Sequence, residues 1–163
     1  MYFWSAFIHI IIACFWIGGM LFTAAILVPA TRKKLAQQRG ILFTELGTRF
    51  SRLSWILFPI LIITGITALL GRGYTGEELL SLQFWQSQYG STLFNKLTAF
   101  SIMLIVAALH DFWLGPRAAT LMENDPESET TIRYRKASSW GGRINLILGI
   151  TILYFAVSLV RWQ

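Results

Sequence analysis

Charge is scarce in this sequence, and long stretches have none. Asp, Glu, Lys and Arg make up only 13% of the 163 residues, while 55% are hydrophobic. A soluble globular domain carries roughly a quarter charged residues. Residues 2–28 contain no charged side chain at all. This balance excludes an ordinary water-facing surface and points to a lipid solvent. The single cysteine, Cys14, excludes an internal disulfide, and with only two histidines no Cys/His spacing of a zinc site exists. No basic segment precedes the first apolar run, and that run is too long for a signal's apolar part, so no cleavable signal is expected. Nucleic acid is not expected either. The net charge is +6, but the basic residues sit between apolar runs, where membrane topology places them.

What is present is a set of four apolar runs, each near the roughly 20 residues that cross a bilayer core. They cover residues 2–28, closed by Pro29; 53–70, ended by Gly71 and Gly73; 96–114, broken by Gly115-Pro116; and 144–160. The expectation is an all-α integral membrane protein, one domain over residues 1–163, folded as an antiparallel four-helix transmembrane bundle. Loop one carries Arg32, Lys33, Lys34, Arg39, Arg49 and Arg52 against Glu45. Loop three carries Arg117, Arg133, Arg135, Lys136 and Arg143, while loop two has only Arg72. The positive-inside rule therefore puts loops one and three in the cytoplasm and both termini outside the cell (inner) membrane. Trp4, Trp85 and Trp162 then mark the outer interface, and Trp55, Trp113 and Trp140 the inner one. Trp16 alone lies deep in a span.

The loops carry signals of their own. Leu42, Leu46, Phe50 and Leu53 recur at helical spacing, which predicts a short interfacial helix in loop one leading into the second span. Thr75 and Glu78 have capping-box spacing, which predicts another in loop two. Residues 123–129, polar and broken by Pro126, read as a mobile loop tip.

Ionisable residues inside a membrane are costly, which makes them functional candidates. Here they are His9, Lys96, His110 and Asp111. Lys96, Met103 and His110 are spaced by sevens and share a helix face. His9, Trp16 and Met20 fall within about 20° of one another at 100° per residue. If the two stripes face each other, depth sorts them into an outer cluster (His9, Lys96, Met103) and an inner one (Met20, His110). Imidazole and thioether together suit copper, the thioether selecting Cu(I). They also suit axial ligation of haem iron, although His9 and His110 differ in depth by about 12 Å, too much to share one haem. The structural alternatives are plain ones. The histidines could serve only as hydrogen-bonding groups, the methionines as packing, and Lys96 as a snorkelling cation. Asp111 is expected to form a structural ion pair with Arg117 or Arg143, and Gly18-Gly19 to let helices approach closely.

The stretch from His9 to Pro29, with Trp16-x-Gly18-Gly19, resembles the first helix of the copper-resistance D membrane domain. Arg49-Phe50-Ser51 followed by Thr64-Gly65 is similar to a second segment of that domain. Tyr89-Gly90 with Leu93 and Lys96-Leu97 is similar to its entry to the next helix, which Gly115-Pro116 would end. The resemblance covers about residues 5–120. It implies a protein that binds or transports copper, with His9 and Met103 as outer ligands and Met20 and His110 further along. The chain also resembles HemJ-type protoporphyrinogen oxidases, which tie haem b to a first-helix histidine and a later lysine, here His9 and Lys96. Arg143-Ile144-Asn145 is loosely similar to a motif near their last helix, while Ala30-Thr31-Arg32 departs from the stretch that follows their first. That likeness implies a haem b protein, either an electron carrier or a haem-dependent oxidoreductase. No catalytic residue is assigned. A third reading is a non-catalytic subunit packed beside a membrane-protein partner or its own copies.

Overall fold

In lipid a backbone N–H finds no partner outside the chain, so each apolar run closes its own ladder as a helix. The computed structural model describes residues 2–32 and 35–161. Four helices are long and apolar enough to cross a membrane: α1 Tyr2–Arg32, α2 Arg39–Leu70 and, after two short helices, α5 Gln88–Asn124 and α6 Glu129–Arg161. The short ones are α3 Gly76–Leu80 and α4 Leu82–Gln86. Lys33, Lys34 and Trp162, used in the charge and aromatic map, lie outside the described residues.

Each helix outruns its apolar window. Hydropathy marks the part that lipid selects, and the helix then extends into polar sequence because every added residue closes a bond on an existing nucleus. The helix read in loop one is the first part of α2, continuous with the span. In loop two Thr75 caps α3. Its hydroxyl accepts from the Glu78 N–H at 3.2 Å, and its own N–H donates to Glu78 Oε2 at 2.8 Å.

Two expected breaks are continuous helix. α1 runs through Pro29, and α5 runs through Gly115-Pro116. In both, a wider π-turn precedes the proline, Thr23–Leu27 in α1 and His110–Leu114 in α5. The Val28 N–H returns to the Thr23 carbonyl and the Gly115 N–H to that of His110, five residues back. The next residue is a proline, which has no N–H to place. The third connection falls within the loop tip read at residues 123–129. It is a tight turn between Asn124 and Glu129, pinned by the fully buried Thr131, whose hydroxyl donates to the Asp125 carbonyl at 2.7 Å.

α1 packs on α2 and on α6, and α6 packs on α5. The rings of Phe58 with Phe100 and of Trp55 with Phe112 close the circle between α2 and α5. Contacts along each pair run in opposite order, so neighbours are antiparallel and α1 lies diagonally from α5. The two diagonal helices meet in the central core of Trp16, Phe58 and Met103, where the Trp16 and Phe58 rings stand edge to face at 5.6 Å. A second core, Phe84, Leu93 and Leu159, lies under α3 and α4. Outward faces expose Ile10, Ile63, Ile105 and Ile147 among many other large apolar side chains. Water would not tolerate such a surface, but lipid does, and a multi-pass membrane protein is consistent with it. Small residues set the spacing. Gly19 receives the Phe50 ring, as the Gly18-Gly19 pair suggested, while Gly18 has open space beside it.

Candidate functional site

The polar and sulfur-bearing side chains inside the bundle form three layers. In the outermost, His9 on α1 leans on α2, with its Nδ1 3.1 Å from the Thr64 hydroxyl oxygen. That hydroxyl already donates to the Ile60 carbonyl at 2.7 Å, so toward His9 it accepts. An Nδ1–H tautomer of His9 suits that acceptor, and the ring also meets the Leu61 backbone. Gly65 makes the room, since a Cβ there would stand 3.2 Å from His9 Cε1. The Ser5 hydroxyl donates to the Thr64 carbonyl at 2.9 Å and pairs with the Thr67 hydroxyl, fastening the same stretch of α2. The Lys96 ammonium on α5 lies within electrostatic range of His9, and the Arg72 guanidinium within range of Lys96. Arg72 itself donates to the hydroxyls of Tyr2 and Tyr89 at 3.1 and 3.2 Å.

The middle layer is sulfur and indole. Met103 has no exposed surface and sits with Trp16 and Phe58, and Met20 packs against the same cluster. Gly149 on α6 admits Met20 and Trp16, whose nearest atoms stand 2.8 and 3.3 Å from where its Cβ would be. The outer grouping of His9 with Met103 is thus corrected. Trp16 lies about 10 Å below His9 along α1, and Met103 belongs with Met20.

The inner layer is a hydrogen-bonded network across three helices. Asp111 Oδ2 accepts from the Ser51 hydroxyl at 2.7 Å and from the Trp55 indole N–H at 3.0 Å. Asp111 Oδ1 lies 2.8 Å from His110 Nδ1, and His110 Nε2 lies 3.1 Å from the Ser138 hydroxyl. Both nitrogens of His110 are engaged, so it offers no ligand position as it stands. Nor does it meet Met20. His110 packs on Gly141 and Met20 on Gly149, about 12 Å apart along α6. The expected ion pair of Asp111 with Arg117 or Arg143 is also corrected. Among the described residues Arg49 pairs with Glu45 and Arg133 with Glu129, and Asp111 lies against the His110 ring. Arg143 instead lies over the Trp140 ring at 5.0 Å. Three fixed donors on packed helices stabilise the carboxylate without drawing a long cation out of the interface.

Thr64, Ser51, Trp55, Ser138 and Asn145 were not candidates in the sequence. Thr64 and Ser51 stood inside motif segments, and a helical wheel of the last span would have put Gly141, Asn145 and Gly149 on one face. Among the described residues no three His, Cys, Asp or Glu side chains gather as a metal site. Inside the bundle, the donors that could hold a metal or a cofactor iron include His9 and the thioethers of Met20 and Met103.

Residues 44–159 match the family model described as copper resistance protein D. The match begins within α2, so Lys96, Met103, His110 and Asp111 lie inside it, and His9 and Met20 lie before it. An uncharacterized protein of Aquifex aeolicus (strain VF5) is 30% identical over 152 residues, which cover 93% of this chain and 90% of that one. No solved structure matches.

Proposed function

The chain belongs to the copper resistance protein D family, and from that premise we propose that it binds copper within the bundle and passes it along the interior. One observation carries this reading: Met103 shares the central cluster with Trp16 and Phe58, and Met20 packs against the same cluster. Thioether sulfur selects Cu(I) over harder cations, and an indole face adds attraction for a desolvated cation. His9 is the outer ligand in this reading. Its Nδ1 lies 3.1 Å from the Thr64 hydroxyl, as the second ring nitrogen of a metal-bound imidazole commonly lies against an acceptor. The basic residues of loops one and three orient the protein, those loops being cytoplasmic. The test is Cu(I) titration of the purified protein in mild detergent against a chromophoric chelator. Stoichiometric binding, lost in the double variant Met20→Leu/Met103→Leu and weakened in His9→Ala, supports the reading. A protein that leaves all copper on the chelator overturns it.

A second reading, haem b, is favoured by Lys96 within electrostatic range of His9. A cation there repels copper and attracts a carboxylate. The donor set fits: His9 would supply an axial imidazole with its lone pair available, and Lys96 would partner a propionate. The group, when bound, supplies one-electron transfer. A Soret band that disappears in His9→Ala supports this reading, and its absence from protein purified after haem supplementation rejects it.

A further inference from the structure

Among the described residues, Asn145 Oδ1 is the only buried side-chain oxygen or nitrogen with no hydrogen-bond partner. The residue is 9% exposed. A buried amide oxygen left unpaired is costly, and native structures rarely keep one without a ligand, an ion or a water to satisfy it. Its surroundings say which. α6 turns Gly141, Asn145 and Gly149 inward at successive turns, all three buried. Gly141 receives the His110 imidazole, and Gly149 receives Met20 and Trp16. Asn145 stands between these layers, about 6 Å from each glycine along the helix. The two neighbouring layers differ in kind. On one side are hydroxyl, imidazole and carboxylate, with the His110 side chain 31% accessible. On the other is the closed core of Trp16, Phe58 and Met103. At the polar level α5 also widens into its π-turn, which begins at His110.

We propose that Asn145 Oδ1 accepts a hydrogen bond from internal water and marks the inner limit of an aqueous vestibule entered past Ser138 and His110. Water fits where a polar site is roomy and further polar groups lie along the way; neither a thioether nor the Phe58 ring can donate to the amide oxygen, and the Trp16 indole N–H does not reach it. The vestibule is one-sided. Water reaches Asn145 from the end that carries loops one and three, and the Trp16–Phe58–Met103 core seals it from the other end. None of this depends on whether the thioether layer takes copper or His9 takes haem.

Cysteine accessibility tests it in the full chain, in a Cys14→Ser background reconstituted in vesicles of known sidedness. Asn145→Cys should react with a membrane-impermeant cationic methanethiosulfonate added on the side of loops one and three. Ser138→Cys should react faster from that side, and Met103→Cys from neither. An Asn145→Cys protein that is unlabelled from both sides, or labelled from the opposite side, overturns the proposal. Asn145→Leu gives a second readout by thermal unfolding in detergent. A lower Tm is expected, because the variant loses the bridging water and its bonds. A higher Tm would mean that the oxygen had been dry and unused, and would overturn the proposal independently of labelling.

Discussion

The two histidines occupy opposite ends of one bundle and are held in opposite ways. His9 leans on Thr64 through one nitrogen, while His110 is held through both, by Asp111 and Ser138. A ring tied at one nitrogen is oriented for something else, whereas a ring tied at both is a strut. Helix register cannot separate the two cases, because both residues lie on inward stripes. The separation comes from the neighbouring helices.

The largest expected effect is on the strut. His110→Ala leaves Asp111 short of a donor and opens a gap against Gly141, which should cost about 2–4 kcal/mol of stability, read by thermal unfolding in detergent. His9→Ala removes the Thr64 hydrogen bond and should cost about 1 kcal/mol while weakening ligand binding. Equal losses of stability in the two variants would break the comparison. A smaller effect sharpens it. Ser138→Ala should cost about 1 kcal/mol and release His110 Nε2, so that diethyl pyrocarbonate, which marks His9 first in the wild type, marks both rings. Mass spectrometry of the modified peptides reads the order. Next is Gly65→Ala, whose methyl would crowd the His9 ring at 3.2 Å. It should weaken ligand binding with a change in stability of under about 1 kcal/mol, whereas a bystander ring would show no binding change. The smallest effect lies outside both layers, at α3. The backbone N–H and hydroxyl of Thr75 hold the Glu78 carboxyl below its ordinary value. That cap contributes fully above the carboxylate's unfolded pKa and is lost as pH falls through the lowered folded one. Hydrogen exchange at residues 75–80 should therefore quicken at acid pH with little change in Tm.

The four spans were legible because lipid imposes one requirement, a long uncharged run, and the sequence shows it four times. The stripes were legible because 100° per residue is a local rule. Pairing across the bundle was the weak point. Depths inferred from span edges assume helices that begin where the apolar run begins, but α5 begins at Gln88, two turns before Lys96. A shift of about two turns moves Met103 from His9's layer to that of Trp16 and Met20. The partners of Asp111 were hidden for another reason. Ser51 and Trp55 stand 60 and 56 residues away in sequence, on a helix that meets α5 only after the whole circle has closed. Arg117, close in sequence, was the visible candidate. Asn145 stood out only in the loose Arg143-Ile144-Asn145 resemblance, since an amide becomes conspicuous only when its neighbours fail to pair with it.

The π-turns of α1 and α5 begin seven residues beyond Trp16 and Met103 respectively, so the diagonal helices carry the same irregularity at the same level. Each amounts to a surplus residue absorbed without unwinding. Such a residue works like an extra tooth on a gear, because everything after it is rotated by about 100° relative to an uninterrupted helix. Removing one residue from 110–114 would tighten the turn and swing the rest of α5, Arg117 included, to another side of its axis. The pairing of α5 with the start of α6 would then be out of phase while its pairing with the outer half remained in mesh.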